Sequence, residues 1–326
     1  MNAIGLYLKR LGILTIIMSL SFAFFAGDAI AKTQYLIIGG GNTGGLYYPM
    51  AGVLASLANK NLKGYRASAE VTGASVDNCI YVGEKKMDIG IANSDTILSA
   101  NNGQKPVFQK KYSLEVLFET FTSTIMFYVL SDSPFKSVGD LKGKRISVGS
   151  PGSATILKAK MALEAYGISF TDIKPAYLTF TEGVNSLIDR NIDALVLMSP
   201  ARTSAAIDLT TRANVRMLPF DDAARDRITQ KHPYMSNVTI PGGILKGVTK
   251  DVPTVATGNP FFVHKDFDPT LAYNFTKMVV DNLDYIHRVV PTLKGEVTLK
   301  NMISAPKVLP YHPGAIKYYR GMNVMP

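Results

Sequence analysis

The stretch that decides the fold is Gly39-Gly40-Gly41-Asn42-Thr43-Gly44-Gly45-Leu46-Tyr47-Tyr48-Pro49. It follows the short apolar run Tyr35-Leu36-Ile37-Ile38 and precedes residues 46–60, whose apolar positions have helical spacing. A strand, a glycine loop and a helix start, in that order, direct backbone N–H groups toward a bound anion. The sequence therefore predicts an anion site at this turn. Its predicted ligand contacts are Gly41, Asn42, Thr43, Gly44 and Tyr47.

The N-terminus has the layout of an export signal. Lys9 and Arg10 precede an apolar run at residues 11–25, and Ala29-Ile30-Ala31 is a small-x-small cleavage site. We expect residues 1–31 to be a signal peptide that is cleaved after Ala31, so that the mature protein is periplasmic. An uncleaved N-terminal anchor is the alternative.

The same glycine loop also contains Gly39-x-Gly41-x-x-Gly44, which is typical of dinucleotide-binding turns. Two observations argue against that alternative. Export removes the chain from the nicotinamide pool, and Tyr47-Tyr48-Pro49 is a bulky helix start for the approach of a pyrophosphate. We therefore predict no cofactor.

Composition narrows the class of protein. A chain of 326 residues is longer than one core usually holds, so two lobes are expected. Its single cysteine, Cys79, cannot form an intramolecular disulfide and is interpreted as a buried structural thiol. The formal charge of +10 favours anionic solutes. No Lys/Arg stripe is interleaved with aromatic residues, so we predict no nucleic-acid partner. We also expect a monomer.

Short apolar strands alternate with helical segments along the chain, which predicts an α/β fold. The opening layout recurs at a predicted strand over residues 145–148, the loop Gly149-Ser150-Pro151-Gly152-Ser153-Ala154-Thr155 and a predicted helix over residues 156–166. Because ligands bind at the carboxyl ends of strands in open α/β sheets, the two loops are expected to face each other across a cleft. The second loop contributes the candidate contacts Ser150, Ser153, Ala154 and Thr155.

Further candidates also lie near predicted strand ends. Ser75 and Asn78 are three residues apart and share a face of a predicted helix. Asn93, Ser94 and Asp95 follow the strand at residues 89–92; helix capping is the alternative role of Ser75 and Asp95. If Asp95 meets the ligand, an amino acid is favoured over a plain dicarboxylate.

Arg202 follows the strand predicted over residues 192–198 and could grip a carboxylate in a two-point contact. The alternative is a solvated arginine in the first turn of a helix. If the contact exists, Arg202→Ala should weaken binding by roughly 1.5–3 kcal/mol. The four histidines have no metal-ligand spacing, so no metal is predicted, and His312-Pro313-Gly314 is expected to start a terminal helix.

Five motifs, in order along nearly the whole mature chain, resemble the TAXI family of solute receptors for tripartite ATP-independent periplasmic (TRAP) transporters. They are Gly41-Asn42-Thr43-Gly44-Gly45-Leu46-Tyr47-Tyr48-Pro49, Thr72-Gly73-Ala74-Ser75-Val76-Asp77-Asn78, Asp88-Ile89-Gly90-Ile91-Ala92-Asn93-Ser94-Asp95, Asp140-Leu141-Lys142-Gly143-Lys144-Arg145-Ile146-Ser147-Val148-Gly149 and His312-Pro313-Gly314-Ala315-Ile316-Lys317-Tyr318-Tyr319.

The resemblance implies a type II periplasmic binding protein fold, with two lobes and two chain crossings near residues 130 and 250. Lobe 1 would comprise residues 32–130 with 250–326, and lobe 2 residues 131–249. It also implies a glutamate- or glutamine-like amino acid, a dicarboxylate or a 2-oxoacid as ligand, and a fused TRAP permease as partner. The turn Met198-Ser199-Pro200-Ala201-Arg202 departs from the family's glycine-rich pattern, so the particular substrate is not carried over.

Three alternatives stay open. An ABC-transporter substrate-binding protein is the alternative within binding proteins. A periplasmic small-molecule enzyme is disfavoured because the chain has no G-x-S-x-G elbow and its histidines lie far apart, so we predict no catalytic residues. A surface adhesin would leave two facing polar loops unexplained.

Overall fold

The computed structural model describes residues 33–325. The predicted signal peptide, residues 1–31, lies outside these residues. Within the described part, no helix is both long and apolar enough to cross a membrane. The strands are β1 Gln34–Gly39, β2 Tyr65–Glu70, β3 Ile89–Ile91, β4 Leu114–Phe118, β5 Thr122–Leu130, β6 Arg145–Ser147, β7 Lys174–Ala176, β8 Ala194–Ser199, β9 Val215–Leu218, β10 Ser236–Ile240, β11 Val252–Gly258 and β12 Phe261–His264.

The helices confirm the predicted alternation of strands and helices. They are α1 Tyr47–Asn61, α2 Ser75–Gly83, α3 Ser94–Asn102, α4 Thr155–Ala165, α5 Phe180–Ile188, α6 Ser204–Arg212, α7 Asp222–Lys231, α8 Pro269–Asp281, α9 Leu283–Val289, α10 Leu299–Met302 and α11 Pro313–Gly321. His312 caps α11 as predicted, because its Nδ1 accepts a hydrogen bond of 3.2 Å from the N–H of Gly314.

Two sheets organise the molecule. The first has the strand order β2-β1-β3-β12-β4. In the second the order is β10-β11-β5-β8-β6-β7, and β9 pairs with β5 beyond the end of its pairing with β11. The parallel pairs β1–β3 and β6–β8 set the first glycine loop and the second at carboxyl ends of strands. We call the first sheet with the helices packed on it the first lobe, and the second sheet with its helices the second lobe.

Each sheet has helices on both faces, so central strands such as β3 and β8 are buried, whereas β2, β7 and β10 keep exposed residues. In the first lobe, one core includes Ile38, Phe118 and Phe275, and a second includes Cys79, which is buried as predicted. In the second lobe, Phe127 and Leu195 belong to cores on opposite faces of the sheet. Each lobe therefore has its own hydrophobic core.

The chain passes between the sheets twice. The first connection, residues 119–121, joins β4 to β5, and the second, residues 259–260, joins β11 to β12. Strands β5 and β11 both belong to the second sheet. The chain therefore changes sheets before residue 130 and after residue 250. The lobe boundaries drawn at those residues remain a prediction.

Candidate ligand-binding site

A pocket lies between the lobes where the two Gly/Ser loops meet. Its cavity volume is about 30 Å³, room for only one or two water molecules. Backbone hydrogen bonds join the lobes beside the pocket, from Val76 to Gly152 and from Ala205 to Gly44, so we describe this arrangement as closed. Eight of the residues predicted as contacts line the pocket: Gly41, Asn42, Tyr47, Ser75, Asn93, Ser153, Ala154 and Thr155.

Two helices begin at this pocket, one from each lobe. Helix α1 has Leu46 at its N-cap position and α4 has Ala154 there, and neither side chain makes a capping hydrogen bond. The first N–H groups of a helix have no partner within the helix, and the helix dipole makes this end attractive to negative charge. Both N-cap residues line the pocket. The arrangement is suited to holding an anion from two sides.

A network of neutral polar groups covers the first-lobe wall. The Tyr47 hydroxyl lies 3.4 Å from the Ser75 hydroxyl and accepts a hydrogen bond of 3.2 Å from the Asn93 amide. Burial raises the pKa of Tyr47 far above its usual value, so this hydroxyl stays neutral. Among the described residues, the buried Oδ1 of Asn42 has no hydrogen-bond partner. This wall can therefore donate and accept hydrogen bonds without carrying charge.

Sequence reasoning did not name the other half of the lining. Met198, Ser199 and Pro200 belong to the turn after β8 that the sequence analysis singled out by its strand-end position, but Arg202 was the contact chosen from that turn. Phe121 comes from a connection between the lobes, and Phe180 begins α5; no local pattern marks either. The lining residues that were not predicted are Gly45, Leu46, Ala74, Phe121, Ser123, Phe180, Met198, Ser199 and Pro200.

Asn78 and Ser94 lie outside the pocket lining, in structural roles. The Asn78 side chain is fully buried and donates to the carbonyls of Gly40 and Ile91, at 2.7 and 2.8 Å, which joins the ends of β1 and β3. The Ser94 hydroxyl donates to the carboxylate of Glu119 at 3.4 Å. Their predicted partner was a ligand, and their observed partners are protein groups.

Gly44 contacts the opposite lobe instead of the pocket. Its carbonyl accepts hydrogen bonds of 3.2 Å from the N–H of Ala205 and the hydroxyl of Ser204, at the start of α6. The neighbouring Thr43 is exposed. In the first loop, only Gly41, Asn42 and Gly45 line the pocket.

Asp95 is bound to a lysine from the second lobe. Lys158 of α4 is fully buried and donates to Asp95 Oδ2 of α3, and Asp95 itself is 5% exposed. The predicted contact between Asp95 and a ligand ammonium group is therefore replaced by an ion pair between the lobes. Asp95 Oδ1 has no second partner among the described residues.

Ser150 and Arg202 also lie outside the lining. Ser150 is buried, and its hydroxyl has no partner among the described residues. Arg202 is exposed on the surface, which matches the alternative of a solvated arginine. Among residues 33–325, no group of three or more His, Cys, Asp or Glu side chains could hold a metal ion.

The two lobes with two connections form an architecture of the periplasmic binding protein type, so the α/β fold class predicted from the sequence is confirmed. The chain belongs to the NMT1-like family, whose model matches residues 38–322. A "Putative aliphatic sulfonates-binding protein" from Escherichia coli (strain K12) is 34% identical over 79 residues, which are 24% of this chain and 24% of that protein.

Two solved structures resemble the whole fold. The alkanesulfonate-binding protein SsuA from Xanthomonas axonopodis pv. citri, bound to MOPS, has a TM-score of 0.50 at 18% identity, and the match covers 90% of this chain and 95% of that chain. A protein from Bordetella bronchiseptica RB50 has a TM-score of 0.54 at 17% identity, with 90% and 83% covered. Both likenesses concern the fold.

Proposed function

We propose that this chain is a transport receptor whose two lobes close on a small organic anion and deliver it to a membrane transporter. The observation that carries the proposal is the meeting of two helix starts at one pocket. Helix α1 comes from the first lobe and α4 from the second. Neither N-cap residue supplies a capping side chain, and among the N–H groups of α4 Ser153 accepts only from the first, that of Thr155. Closure would bring both N-termini to one anionic group and exclude water from it.

The lining favours an acid without an amino group. Among the described residues, those that line the pocket include no Asp, Glu, Lys or Arg. Asp95, the predicted partner for a ligand ammonium group, is already paired with Lys158. A buried ammonium group with no carboxylate partner would cost free energy. We therefore favour a 2-oxoacid, a dicarboxylate or an alkanesulfonate over glutamate or glutamine, with Phe121 and Phe180 against the apolar part.

Two kinds of transporter are candidates. The similarity to sulfonate-binding proteins favours the ABC-transporter alternative. The five ordered motifs that resemble the TAXI family support a TRAP permease as the second candidate. Uptake of a radiolabelled acid by cells that carry the gene separates them: ABC uptake stops when ATP is depleted, and TRAP uptake stops when the ion gradient is collapsed.

A thermal-unfolding screen tests the binding proposal. The panel contains 2-oxoglutarate, succinate, ethanesulfonate, MOPS, L-glutamate and L-glutamine. An acid at 100 times its dissociation constant should stabilise the folded protein by about 2.7 kcal/mol. We expect stabilisation by at least one acid without an amino group, and recovery of that acid unchanged after incubation. No stabilisation by any member of the panel would contradict the proposal.

Two serines of the second loop provide a matched pair of variants. Ser153 lines the pocket and Ser150 does not, although both are buried. Ser153→Ala should reduce the stabilisation by the acid, whereas Ser150→Ala should leave it unchanged. Because Ser153 also accepts a hydrogen bond from the N–H of Thr155, the comparison uses the ligand-induced shift and not the melting temperature itself.

Export completes the proposal. The chain would be delivered to the periplasm and cleaved after Ala31. N-terminal sequencing of the protein isolated from the periplasm should begin at Lys32. Isolation of the full-length chain from the membrane fraction would support the uncleaved anchor instead.

A further inference from the structure

Asn259 is a fully buried residue in the connection between β11 and β12. Its backbone and side chain make hydrogen bonds in two directions. One set reaches the other connection between the lobes, and the second set reaches polar residues that line the pocket. Nothing in the sequence around it, Thr257-Gly258-Asn259-Pro260, marks it as more than a turn residue.

Toward the other connection, Asn259 joins the two crossing segments. Its N–H donates to Glu119 Oε1 at 2.5 Å, and its side-chain amide donates to the carbonyl of Phe121 at 2.6 Å. Its carbonyl accepts a hydrogen bond from the hydroxyl of Thr120. All three residues of the first connection are therefore bonded to this one residue of the second.

Toward the pocket, three donors converge on the side-chain oxygen of Asn259. They are the hydroxyl of Tyr47 at 2.5 Å, the amide of Asn93 at 2.8 Å and the hydroxyl of Ser123 at 3.2 Å. All three line the pocket. Tyr47 and Asn93 belong to the first lobe, and Ser123 lies at the start of β5 in the second sheet.

We propose that Asn259 is a positioning residue, which holds Tyr47, Asn93 and Ser123 in register with both connections, so that the pocket wall and the hinge move together. The role rests on the proposed function, since it assumes that this pocket receives the solute. A displacement of Tyr47 or Asn93 by a solute would act on Asn259, and through it on all three residues of the first connection. Opening of the lobes would conversely alter the pocket wall.

The test needs no ligand, so its failure is distinguishable from failure of the proposed function. Cysteines introduced as Lys60→Cys in the first lobe and Lys160→Cys in the second, both at exposed positions, carry spin labels in a Cys79→Ala background. Pulsed electron paramagnetic resonance then measures the distribution of distances between the lobes. We expect Asn259→Ala to broaden or lengthen this distribution.

Asn78→Ala is the matched control, because Asn78 is also a fully buried asparagine but bonds to neither connection. It should leave the distance distribution unchanged. An unchanged distribution in Asn259→Ala, or an equal change in both variants, would overturn the proposal. If Asn259→Ala does not fold, Asn259→Asp replaces it: aspartate keeps the acceptor for Tyr47 but cannot donate to Phe121, so the distribution should still broaden.

A double-mutant cycle measures the pocket side of the proposal. Tyr47→Phe removes only the hydroxyl that donates to Asn259, and urea unfolding gives the equilibrium constant for each variant. If Asn259 holds Tyr47, the two single variants lose the same hydrogen bond. The double variant should then change the unfolding constant by about fivefold less than the product of the two single changes, the scale of one hydrogen bond. The same cycle with Asn78→Ala should be multiplicative. Multiplicative effects in both cycles would overturn the proposal.

Discussion

Each of the two glycine loops contacts the opposite lobe through a backbone carbonyl that accepts hydrogen bonds, and only the second loop also has an ion pair beside it. In the first loop, the carbonyl of Gly44 accepts hydrogen bonds at the start of α6 in the second lobe. In the second loop, the carbonyl of Gly152 accepts hydrogen bonds of 3.0 and 3.3 Å from the N–H groups of Val76 and Asp77, in the first turn of α2 in the first lobe. Each loop thus places a carbonyl against a helix start of the opposite lobe.

The difference lies in charge. Beside the second loop, Lys158 and Asp95 form a buried ion pair across the cleft. Beside the first loop, the contacts of Gly44 are hydrogen bonds from a neutral N–H and a neutral hydroxyl. A buried charge that loses its partner is costly, whereas a neutral group loses far less. We infer that the closed state depends more on the second-loop side than on the first.

Among the substitutions that test this difference between the two sides, Lys158→Met should have the largest effect. It leaves the Asp95 carboxylate buried without its partner, which costs ~3–5 kcal/mol. Opening of the cleft relieves that cost by returning Asp95 to water. Titration calorimetry with the acid that best stabilises the wild type should show affinity lower by about 100-fold or more, the equivalent of about 3 kcal/mol.

The control replaces both partners. Asp95→Asn combined with Lys158→Met leaves no buried charge, and replacing a whole buried pair is often nearly neutral. The double variant should regain most of the affinity. If it binds as weakly as Lys158→Met alone, the lysine acts through something other than this pair.

Gly152→Ala should have the next largest effect. Gly152 has φ of +77°, and an added Cβ would lie 2.3 Å from Asp77 Oδ1. The left-handed backbone costs an alanine roughly 1–2 kcal/mol, and the overlap with Asp77 adds to this cost unless the lobes separate. We expect the variant to fold but to close poorly, with a distance distribution between the lobes shifted toward the open form.

Gly44→Ala is the matching change in the first loop. Its added Cβ would lie 2.9 Å from the hydroxyl of Thr181 and 3.2 Å from Cβ of Phe180. Because the φ of Gly44 is not positive and its nearest neighbours lie farther from the added Cβ than Asp77 does in Gly152→Ala, the shift toward the open form should be smaller. An equal or larger shift would remove the asymmetry between the loops.

The pH dependence of stability tests Glu119, in the connection between β4 and β5, separately from both loops. Burial raises the pKa of Glu119 to about 7 from the ordinary 4.5, so the folded state holds a proton that the unfolded state has released. Stability from this proton is complete below pH 4.5 and is lost as the pH rises to 7. The loss above pH 7 is about 3 kcal/mol.

Glu119→Gln keeps one oxygen, which can accept from the N–H groups of both Thr120 and Asn259 as Glu119 Oε1 does, and it cannot ionise. Urea unfolding should therefore show similar stability of the wild type and this variant near pH 5, and a more stable variant at pH 8. A difference that does not change between pH 5 and pH 8 would exclude ionisation of Glu119 as the cause.

The smallest effect is expected from Arg202→Ala. A contact with the ligand predicted a loss of roughly 1.5–3 kcal/mol. Because Arg202 is exposed and outside the lining, we expect calorimetry to show affinity within about twofold of the wild type, the usual scale of a surface change. A loss of tenfold or more would restore Arg202 to the site.

Strongly patterned elements of the fold could be predicted from the sequence. The helix expected at residues 156–166 is α4, Thr155–Ala165. Strand β10 was not predicted because only Val238 and Ile240 of its five residues are apolar, and an alternation of two residues is too short to detect. The apolar spacing of residues 269–287 predicts one long helix, but the structure divides it at Asn282, whose side chain donates to the carbonyl of Met278.

The site could be predicted only as far as strand ends reveal it. Ser75 and Asn78 share a helix face by spacing, but Ser75 reaches the pocket and Asn78 turns to the strand ends beneath it. Spacing cannot show which part of a face meets the cleft. Asp95 and Lys158 are 63 residues apart in the sequence, and they pair only because the lobes are closed. A local sequence pattern cannot reveal such a contact.

The most direct test of binding by closure of the lobes is thermal unfolding of the wild type and Gly152→Ala with the same panel of organic acids. We expect at least one acid to stabilise the wild type. Because binding requires closure, the same acid at the same concentration should stabilise Gly152→Ala by less than half as much. Equal stabilisation of both proteins, or none of the wild type, would contradict binding by closure.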